Sequence, residues 1–506
     1  MTFQSKTSKS IRNLFFAFAG QGVGLLLSMI SRVFFVQYLS AEYLGLNGLF
    51  SNILTMLSLV ELGIGPAMTY SLYKPLAQKD TERVKSLMQL YKRLYRIVGI
   101  VVLLLGILML PFYRYLIKDI PSIPRLDLIF LLYVANTGVS YFYSYKRALV
   151  DADQNRYVSI SFQYAALAFM HLFQIVALIL TKNFILYLVV QVIMTWVGNF
   201  GIAKYAEKKY PYLNEKVCHK LPKEVLTDIR KNVGAMIFHK VGAIIVLSTD
   251  NILISRIFGL VSVGLYSNYN LITKSLNNIL YQVFNSIVAS VGHLNVSADR
   301  KHLIDVFYRV FFVDFWLYGF SSIALLALLN PFIEIWIGKE YLLETKVVLA
   351  LVIQFYLYGM LKAVRTFRDA AGLYYADRYK PIFEVVINLV ASILLANKIG
   401  LSGIFWGTII STITTCFWIE PWILYKICFE SNLFPYFIKW FMYLFSTIGV
   451  GIITLFLCNC IEISGILGFI IQMMICAVIP NILFLVLFCR TKEMKFFIRM
   501  IQKGKK

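Results

Sequence analysis

Apolar residues in this chain form long runs that have the length of membrane-spanning helices. An α-helix needs about 20 predominantly apolar residues to cross a hydrocarbon core, and such runs recur throughout the 506 residues. The pattern predicts an all-α polytopic membrane protein with about fourteen transmembrane helices. Pro66 and Glu420-Pro421 are interpreted as kinks within two of them. The approximate helix bounds are 13–38, 43–72, 94–117, 125–147, 157–181, 183–205, 232–257, 261–291, 303–330, 343–364, 381–398, 402–427, 436–459 and 463–489.

The composition excludes several classes of protein. Apolar residues make up 59% of the chain and charged residues 15%, with a mean hydropathy of +0.72. A soluble domain could not keep so much apolar surface away from water, so a soluble enzyme with one membrane anchor is excluded. The longest predicted loop, about 206–231, has no room for a catalytic domain, and the chain has no Walker A, HExxH or GxSxG motif. We therefore expect no enzyme activity.

Basic residues alternate between the two sides of the predicted helix array. The chain has 49 Lys and Arg against 26 Asp and Glu, a formal charge of +23, and most basic residues fall in every second connecting segment. The positive-inside rule places those segments in the cytoplasm, together with both termini and the loop that contains Cys218. The charge therefore predicts topology and attraction to anionic membrane lipid, and nucleic-acid binding is not expected.

Neither the cysteines nor the acidic residues predict a metal or cofactor site. The seven Cys residues form no metal-type CxxC pair. The triplet at 151–153 matches the DxD form of nucleotide-sugar enzymes, but so short a match on a predicted inner loop is weak support for an enzyme. We expect no metal and no cofactor, and coupling to a proton or Na⁺ stays open.

An internal repeat relates the two halves of the helix array. Short motifs recur at an offset of 218 or 219 residues: Arg147 with Arg365, Asp151 with Asp369, and Gly45 with Gly264. A block of six helices returns the chain to its starting side, so the two copies have parallel topology. We expect two six-helix lobes around a central cavity, followed by a C-terminal helix pair. The predicted bounds are 1–206 for the N-lobe, 207–231 for a cytoplasmic linker, 232–428 for the C-lobe, and 429–506 for helices 13 and 14 with a basic tail.

Polar residues follow one face of two predicted helices that are equivalent under the repeat. Steps of three and four residues place each set on one helical face, and such a stripe is costly against lipid. The stripes, with intramembrane cations that suit an anionic group, are predicted to line the cavity and bind substrate. These residues are Arg32, Ser51, Thr55, Ser58, Lys240, Asn270, Lys274 and Asn277. Hydrogen bonds between helices and ion pairs within the protein are the alternative explanation.

A second set of charged residues is predicted to act in coupling or gating. Glu61 and Asp250 are candidates for binding a coupling ion. Each Arg-Asp pair of the repeat has a spacing of four, so both side chains share a helical face and predict an ion pair or inner gate. Arg32 and Asp250, at similar depth, either form an ion pair that closes the outer mouth or each pair within their own lobe. The set is Glu61, Arg147, Asp151, Asp250, Arg365 and Asp369.

Short segments spread over the predicted helices 1 to 12 resemble a known transporter family. The segments are SAEYLG at 40–45, ELGIGPA at 61–67, ADQNRY at 152–157, DNILIS at 250–255, VGLY at 263–266, DAAGLY at 369–374 and YKP at 379–381. Together they resemble the polysaccharide transporters, or Wzx-type oligosaccharide flippases. The superfamily also contains lipid II flippases and multidrug-and-toxin-extrusion exporters. Many members of the family have twelve helices, so helices 13 and 14 are a departure.

The resemblance implies a flippase that moves an undecaprenyl-diphosphate-linked oligosaccharide to the outer leaflet of the bacterial cell membrane. Its product would serve assembly of capsule, exopolysaccharide or cell-wall polymer, alongside glycosyltransferases and a polysaccharide polymerase. A cation-coupled drug or small-molecule antiporter of the same superfamily is the alternative. Its cavity would favour carboxylates, whereas the predicted cavity here contains Lys240 and Lys274.

Overall fold

A computed structural model describes most of the chain. The described residues are 3–61, 64–215, 244, 248–297, 299–373, 376–461, 463 and 465–504. Within these residues the secondary structure is helical, with turns and no strand, so the predicted all-α fold class is confirmed. The chain divides into two compact units, unit 1 at Met1–Ser267 and unit 2 at Asn268–Lys506.

Unit 1 contains seven labelled helices, a further helical segment at 248–258, and the first turns of α8. Short 3-10 turns follow three of the helices, at Ser58–Glu61, Tyr113–Leu116 and Pro211–Asn214. The helices are α1 (Phe3–Tyr38), α2 (Ala41–Leu57), α3 (Ile64–Gln78), α4 (Thr81–Leu108), α5 (Leu126–Ala152), α6 (Arg156–Thr181) and α7 (Phe184–Lys209).

Unit 2 contains the rest of α8 and the helices that follow it. A π-helical turn at Leu424–Phe429 extends the segment of α14. The helices are α8 (Leu260–Ser297), α9 (Arg300–Ile337), α10 (Thr345–Gly359), α11 (Lys362–Ala370), α12 (Lys380–Ile399), α13 (Ser402–Thr414), α14 (Cys416–Ile423), α15 (Phe434–Asn459), α16 (Gly465–Phe488) and α17 (Lys492–Gly504).

Ten segments among the described residues are long and apolar enough to cross a membrane. They coincide with ten of the fourteen predicted spans. The predicted span 232–257 lies largely outside the described residues. The other three predicted spans, 43–72, 94–117 and 261–291, correspond to α2 together with α3, to α4 and to α8. Helix α2 is only 17 residues long, and α8 contains the polar stripe that lowers its hydropathy. The chain thus has the fold of a polytopic membrane protein, and the number of fourteen transmembrane helices stays a prediction.

Two helices that were predicted as continuous are broken. The predicted span 43–72 ends at Leu57 and continues as a 3-10 turn before α3 begins. Its break therefore lies before Pro66, the residue to which the kink was assigned. The predicted span 343–364 is divided at residues 360–361 into α10 and α11, and the Asp314 carboxylate of α9 accepts a hydrogen bond from the Ala363 N–H at 3.0 Å. That carboxylate satisfies a backbone donor that the break exposes.

Two glycines of the repeat permit a close helix crossing within unit 1. A Cβ atom on Gly45 of α2 would lie 2.0 Å from the carbonyl oxygen of Leu260 in α8. A Cβ atom on Gly264 would lie 2.4 Å from the carbonyl oxygen of Ala41. The two contacts are equivalent under the 219-residue offset, because Ala41 corresponds to Leu260 and Gly45 to Gly264. Small residues at such crossings let helix backbones approach closely.

Candidate functional site

A polar cavity of about 550 Å³ lies inside unit 1. It brings together three of the residues predicted for coupling or gating, namely Glu61, Arg147 and Asp151. Hydroxyl and amide side chains from α3, α5, α6 and α7 complete the polar lining. These are Thr69, Ser140, Ser144, Gln163, Thr195 and Asn199. The cavity can therefore hold water or a small polar ligand among ionisable groups.

Glu61 reaches this cavity because the helix breaks at its position. It ends the 3-10 turn that follows α2, and the Tyr95 hydroxyl of α4 donates a hydrogen bond to its carboxylate at 3.0 Å. A Cβ atom on Gly65 would lie 2.9 Å from the Tyr95 hydroxyl oxygen, so a larger residue there would crowd the hydroxyl that makes this hydrogen bond. Tyr141 of α5 also lines the cavity. Phenol groups thus position the Glu61 carboxylate without neutralising it.

Arg147 and Asp151 are one turn apart on α5 and line the same cavity. In the described part of the chain, Nε of Arg147 and Oδ1 of Asp151 are buried and have no hydrogen-bond partner. Buried polar atoms of this kind are rare unless water, an ion or a ligand satisfies them. The predicted placement on one helical face is present, whereas the close ion pair expected from the spacing is not.

The predicted polar stripe of α2 is largely exposed. Ser51 and Thr55 are exposed and Ser58 is half-buried. The hydroxyls of Thr55 and Ser58 donate to carbonyl groups of their own chain one turn earlier, at 2.7 and 2.6 Å. Asn47 accepts a hydrogen bond from the Tyr133 hydroxyl at 2.7 Å. The stripe therefore presents its oxygen atoms at the surface of unit 1.

Arg32 contacts a hydroxyl group within its own unit. Its guanidinium donates to the Ser267 hydroxyl at 3.2 Å, within unit 1. Asp250 is buried in the helical segment 248–258. Among the described residues no ion pair joins Arg32 to Asp250, so the pair that would close the outer mouth stays a prediction. Lys240 and Cys218 lie outside the described residues.

The polar stripe of α8 has its cation at the surface of unit 2. Lys274 is exposed, and Asn270 and Asn277 are half-buried. The Asn277 amide oxygen accepts a hydrogen bond from the Tyr318 hydroxyl of α9 at 2.8 Å. Lys274 forms no ion pair with a described carboxylate within 4 Å. Its ammonium group is therefore available to an external anion.

Unit 2 contains a buried network of ion pairs around Glu420. Arg365 donates to the Glu420 carboxylate at 2.8 Å, and Lys380 also binds it. Arg368 lies 3.5 Å from the same carboxylate and binds Asp377 at 2.9 Å. Glu420 is fully buried, and Arg368, Asp377 and Lys380 are each less than 10% exposed. Arg365 is half-buried. Ion pairs this far from water are costly to break.

This network corrects one prediction and extends another. Arg365 and Asp369 do not form the predicted pair, because Arg365 binds Glu420 and Asp369 binds Arg368 at 3.0 Å. Glu420-Pro421 was interpreted as a kink, and the structure adds that Glu420 is the central anion of the network. A single carboxylate inside an apolar run was the signal in the sequence. Its partners could not be read from that run, because Arg365 is 55 residues away.

A second cavity of about 470 Å³ lies between α15 and α16, the predicted helices 13 and 14. Its lining is apolar except for Ser446. The lining residues are Phe445, Ser446, Gly449, Val450, Ile453, Leu483, Val486 and Leu487. Such a groove suits an acyl or polyprenyl chain. Among the described residues no three His, Cys, Asp or Glu side chains come close enough together to hold a metal ion.

The fold matches those of solved transporters over most of its length. A lipid II flippase MurJ, in an inward closed conformation, superposes with a TM-score of 0.66 at 14% identity, covering 94% of this chain and 99% of that chain. An inward-facing multidrug resistance MATE family transporter of the MOP superfamily gives a TM-score of 0.63 at 14% identity, covering 80% of this chain and 94% of that chain. A MATE transporter from Vibrio cholerae gives 0.59 at 14% identity, covering 85% and 99%. The chain thus has the fold of MOP superfamily transporters.

Sequence comparison assigns the chain more narrowly. The family model described as "Polysaccharide biosynthesis protein" matches residues 10–291, which is more than half of the chain. The chain therefore belongs to this family, and the predicted resemblance is confirmed. No curated protein sequence matches it significantly.

Proposed function

We propose that this protein moves a polyprenyl-diphosphate-linked oligosaccharide from the inner to the outer leaflet of the bacterial cell membrane by alternating access. Membership of the polysaccharide biosynthesis family indicates the pathway, and a flippase of a lipid-linked precursor is among the proteins that share the fold. The product serves assembly of a capsule, exopolysaccharide or cell-wall polymer. Glycosyltransferases that build the substrate and a polymerase that uses it are the expected partners.

The exposed Lys274 is the observation that supports this substrate best. A cation on a predicted transmembrane helix costs roughly 3 kcal/mol on the insertion scale, so its exposure requires an anionic or aqueous environment. A diphosphate is an anion that also carries sugar and polyprenyl groups. Hydroxyl groups of Ser51 and Thr55 and the amides of Asn270 and Asn277 are the kinds of group that bind sugar hydroxyls. The apolar groove of α15 and α16 suits the polyprenyl chain.

The membrane potential favours the proposed direction of movement. A diphosphate carries about two negative charges, and moving one charge across 100 mV is worth about 2.3 kcal/mol. Transfer out of a negative interior therefore gains roughly 4–5 kcal/mol for the headgroup. The same membrane potential would not favour the export of a cationic drug, because its charge has the opposite sign.

The test compares Lys274→Ala and Lys274→Arg with a matched control, Lys346→Ala. Lys346 is exposed, and among the described residues its ion-pair partner is Glu344, two residues earlier in the chain. Purified protein is reconstituted in vesicles that contain a fluorescent lipid-linked oligosaccharide, and its appearance in the other leaflet is measured. Lys274→Ala should slow transfer about tenfold or more, because a hydrogen bond to a charged group contributes about 1.5–3 kcal/mol. Lys274→Arg should retain part of the rate.

Transfer at the wild-type rate by Lys274→Ala would remove Lys274 from substrate binding. Equal transfer of a neutral polyprenyl-linked sugar would contradict recognition of the diphosphate. Loss of transfer in Lys346→Ala would show that the assay responds to surface charge in general. Export of a cationic dye, with no transfer of lipid-linked sugar, would favour the antiporter alternative.

Glu61 is the residue we propose for coupling to a proton or Na⁺. It lies in the polar cavity of unit 1, with Asp151 in the same lining and phenol groups as its nearest partners. A carboxylate placed among neutral hydroxyl groups can exchange a cation without breaking an ion pair. When an imposed ion gradient is raised, the transfer rate of the wild type should therefore increase, whereas that of Glu61→Gln should not respond. Equal responses of both proteins to proton and Na⁺ gradients would exclude Glu61 from coupling.

A further inference from the structure

The C-terminal tail, which the sequence pattern left as a basic segment, forms the helix α17. Its first three exposed basic residues, Lys492, Lys495 and Arg499, have spacings of three and four, so they lie on one helical face. Large apolar side chains and Glu493 occupy most of the rest of the circumference. The tail is therefore a strongly amphipathic helix with a cationic face.

Two ring contacts and one ion pair hold α17 against α9 and α15 of unit 2. The Arg309 guanidinium of α9 lies 3.9 Å from the centre of the Phe496 ring, and Phe497 stacks on Phe312 with ring centres 6.3 Å apart. Glu493 is buried and binds Lys439 of α15. The orientation of α17 on unit 2 is thus defined by contacts that leave the basic face outward.

These contacts lie at the part of α9 where we expect the membrane interface. Helix α9 has 38 residues, about 57 Å at 1.5 Å per residue, against a hydrocarbon core of about 30 Å. Its long apolar stretch begins after Arg309, so the first turns of α9 extend beyond the core. Helix α17 packs at Arg309 and Phe312, at the boundary between the charged and apolar parts of α9.

Apolar side chains on α17 remain exposed beside this boundary. Phe496 is 37% exposed, Ile498 38% and Met500 56%. Apolar groups next to a cationic face are typical of helices that lie in the plane of a membrane surface, with apolar side chains among the acyl chains and basic side chains at the headgroups. A soluble binding partner would not explain why this arrangement lies at the part of α9 where we expect the membrane interface.

We propose that α17 is an interfacial helix that binds anionic phospholipid headgroups through Lys492, Lys495 and Arg499. Charge complementarity selects the occupant, since the chain has a formal charge of +23 and a cationic face at a bilayer surface attracts anionic lipid. Phe496 and Met500, four residues apart on one face, insert between the acyl chains of the same leaflet. The inference is independent of the transported substrate.

The test neutralises the cationic face in the full-length protein. The variant Lys492→Gln/Lys495→Gln/Arg499→Gln is compared with Lys339→Gln/Lys346→Gln/Lys398→Gln, which removes the same charge from three exposed lysines elsewhere in unit 2. Each protein is incorporated into nanodiscs of equal parts phosphatidylcholine and phosphatidylglycerol. Phosphatidylglycerol retained on the protein is then measured by native mass spectrometry after release from the disc.

The α17 variant should bind phosphatidylglycerol at least about tenfold more weakly than the wild type, and the control variant should bind it normally. Arg499→Lys should also bind normally, because a headgroup site of this kind recognises charge. Thermal unfolding of every variant checks that it is folded.

Undiminished phosphatidylglycerol binding by the α17 variant would overturn the proposal. Equal loss in the control variant would also overturn it, because binding would then depend on net charge alone. If the variant kept its lipid but lost a co-purifying acidic protein, α17 would be a protein-binding helix and the lipid proposal would be wrong. If Phe496→Ser/Met500→Ser bound lipid normally, the insertion of these side chains would be excluded.

Discussion

Equivalent positions of the internal repeat hold the same ionisable residues in both units, yet their surroundings differ. In unit 1, Arg147 and Asp151 line a polar cavity, and each has a buried polar atom with no hydrogen-bond partner among the described residues. In unit 2, Arg365 binds Glu420 and Asp369 binds Arg368. Unit 1 thus leaves these charges available to water or a ligand, whereas unit 2 uses them to hold its own helices together.

The difference originates on neighbouring helices. Glu420 and Lys380 supply the central anion and a second cation in unit 2. At the same 218-residue offset, the corresponding residues of unit 1 are Ile202 and Phe162, which are apolar and bring no counter-charge. A repeat can therefore keep a charged motif while substitutions on neighbouring helices decide whether that motif belongs to an ion-pair network or lines a polar cavity.

The largest expected effect is that of Glu420→Gln. The substitution leaves the guanidinium of Arg365 and the ammonium of Lys380 buried without their common anion. Breaking a buried ion pair in this way costs about 3–5 kcal/mol, and unfolding of the purified protein in detergent should show a loss of that order. Glu384→Gln is the matched control, because Glu384 lies 3.8 Å from Lys380 at the edge of the network. Equal stability of the two variants would contradict a structural role for Glu420.

Double-mutant cycles test the comparison of the two units directly. For Arg365→Met with Glu420→Gln we expect a coupling energy of about 2 kcal/mol in the free energy of unfolding, since the side chains are in contact. For Arg147→Met with Asp151→Asn we expect less than about 0.5 kcal/mol. A large coupling energy in unit 1 would mean that Arg147 and Asp151 form a structural pair after all.

The glycine crossing tests where the repeat remains symmetric. Gly45→Ala and Gly264→Ala each place a Cβ atom against a carbonyl oxygen, at 2.0 and 2.4 Å. Each should lower the free energy of unfolding by about 1–3 kcal/mol, the usual cost of overpacking. Gly449→Ala is the control, because a Cβ atom there meets nothing within 4 Å, and it should be neutral or slightly stabilising. Harmless substitution at Gly45 would mean that the helices separate easily at this point.

The smallest structural perturbation tests whether the two units are parallel. Arg156→Cys after α5 and Ala376→Cys after α11 are introduced singly into a cysteine-free protein, and Cys460 is retained singly in a third variant. All three positions are exposed. An impermeant thiol reagent should label Cys460 in intact cells, and the other two only after the membrane is opened. Labelling of one of the two loops but not the other in intact cells would refute the parallel repeat.

Periodicity and the repeat predicted the elements and one of their contacts. Apolar runs predicted the helical fold, and the repeat identified Gly45 and Gly264, which meet at a helix crossing. These inferences succeeded because each depends on a property of one helix or one offset. Helical spacing also placed Ser51, Thr55 and Lys274 on faces that are exposed, and their role in substrate binding stays a prediction. The break after Leu57 was assigned to Pro66 instead, and the break at 360–361 was missed, because a glycine or proline within an apolar run does not fix the residue at which the helix ends.

The sequence by itself determined that this is a polytopic helical membrane protein, and it identified which residues carry charge inside it. Only the tertiary structure decided which charges meet. Glu61 and Tyr95 are 34 residues apart, and Arg365 and Glu420 are 55 apart, so their contacts depend on how distant helices pack. A helical period reports which face of one helix a side chain occupies. It contains no information on the helix that packs against that face, and therefore none on whether a buried charge is paired or available.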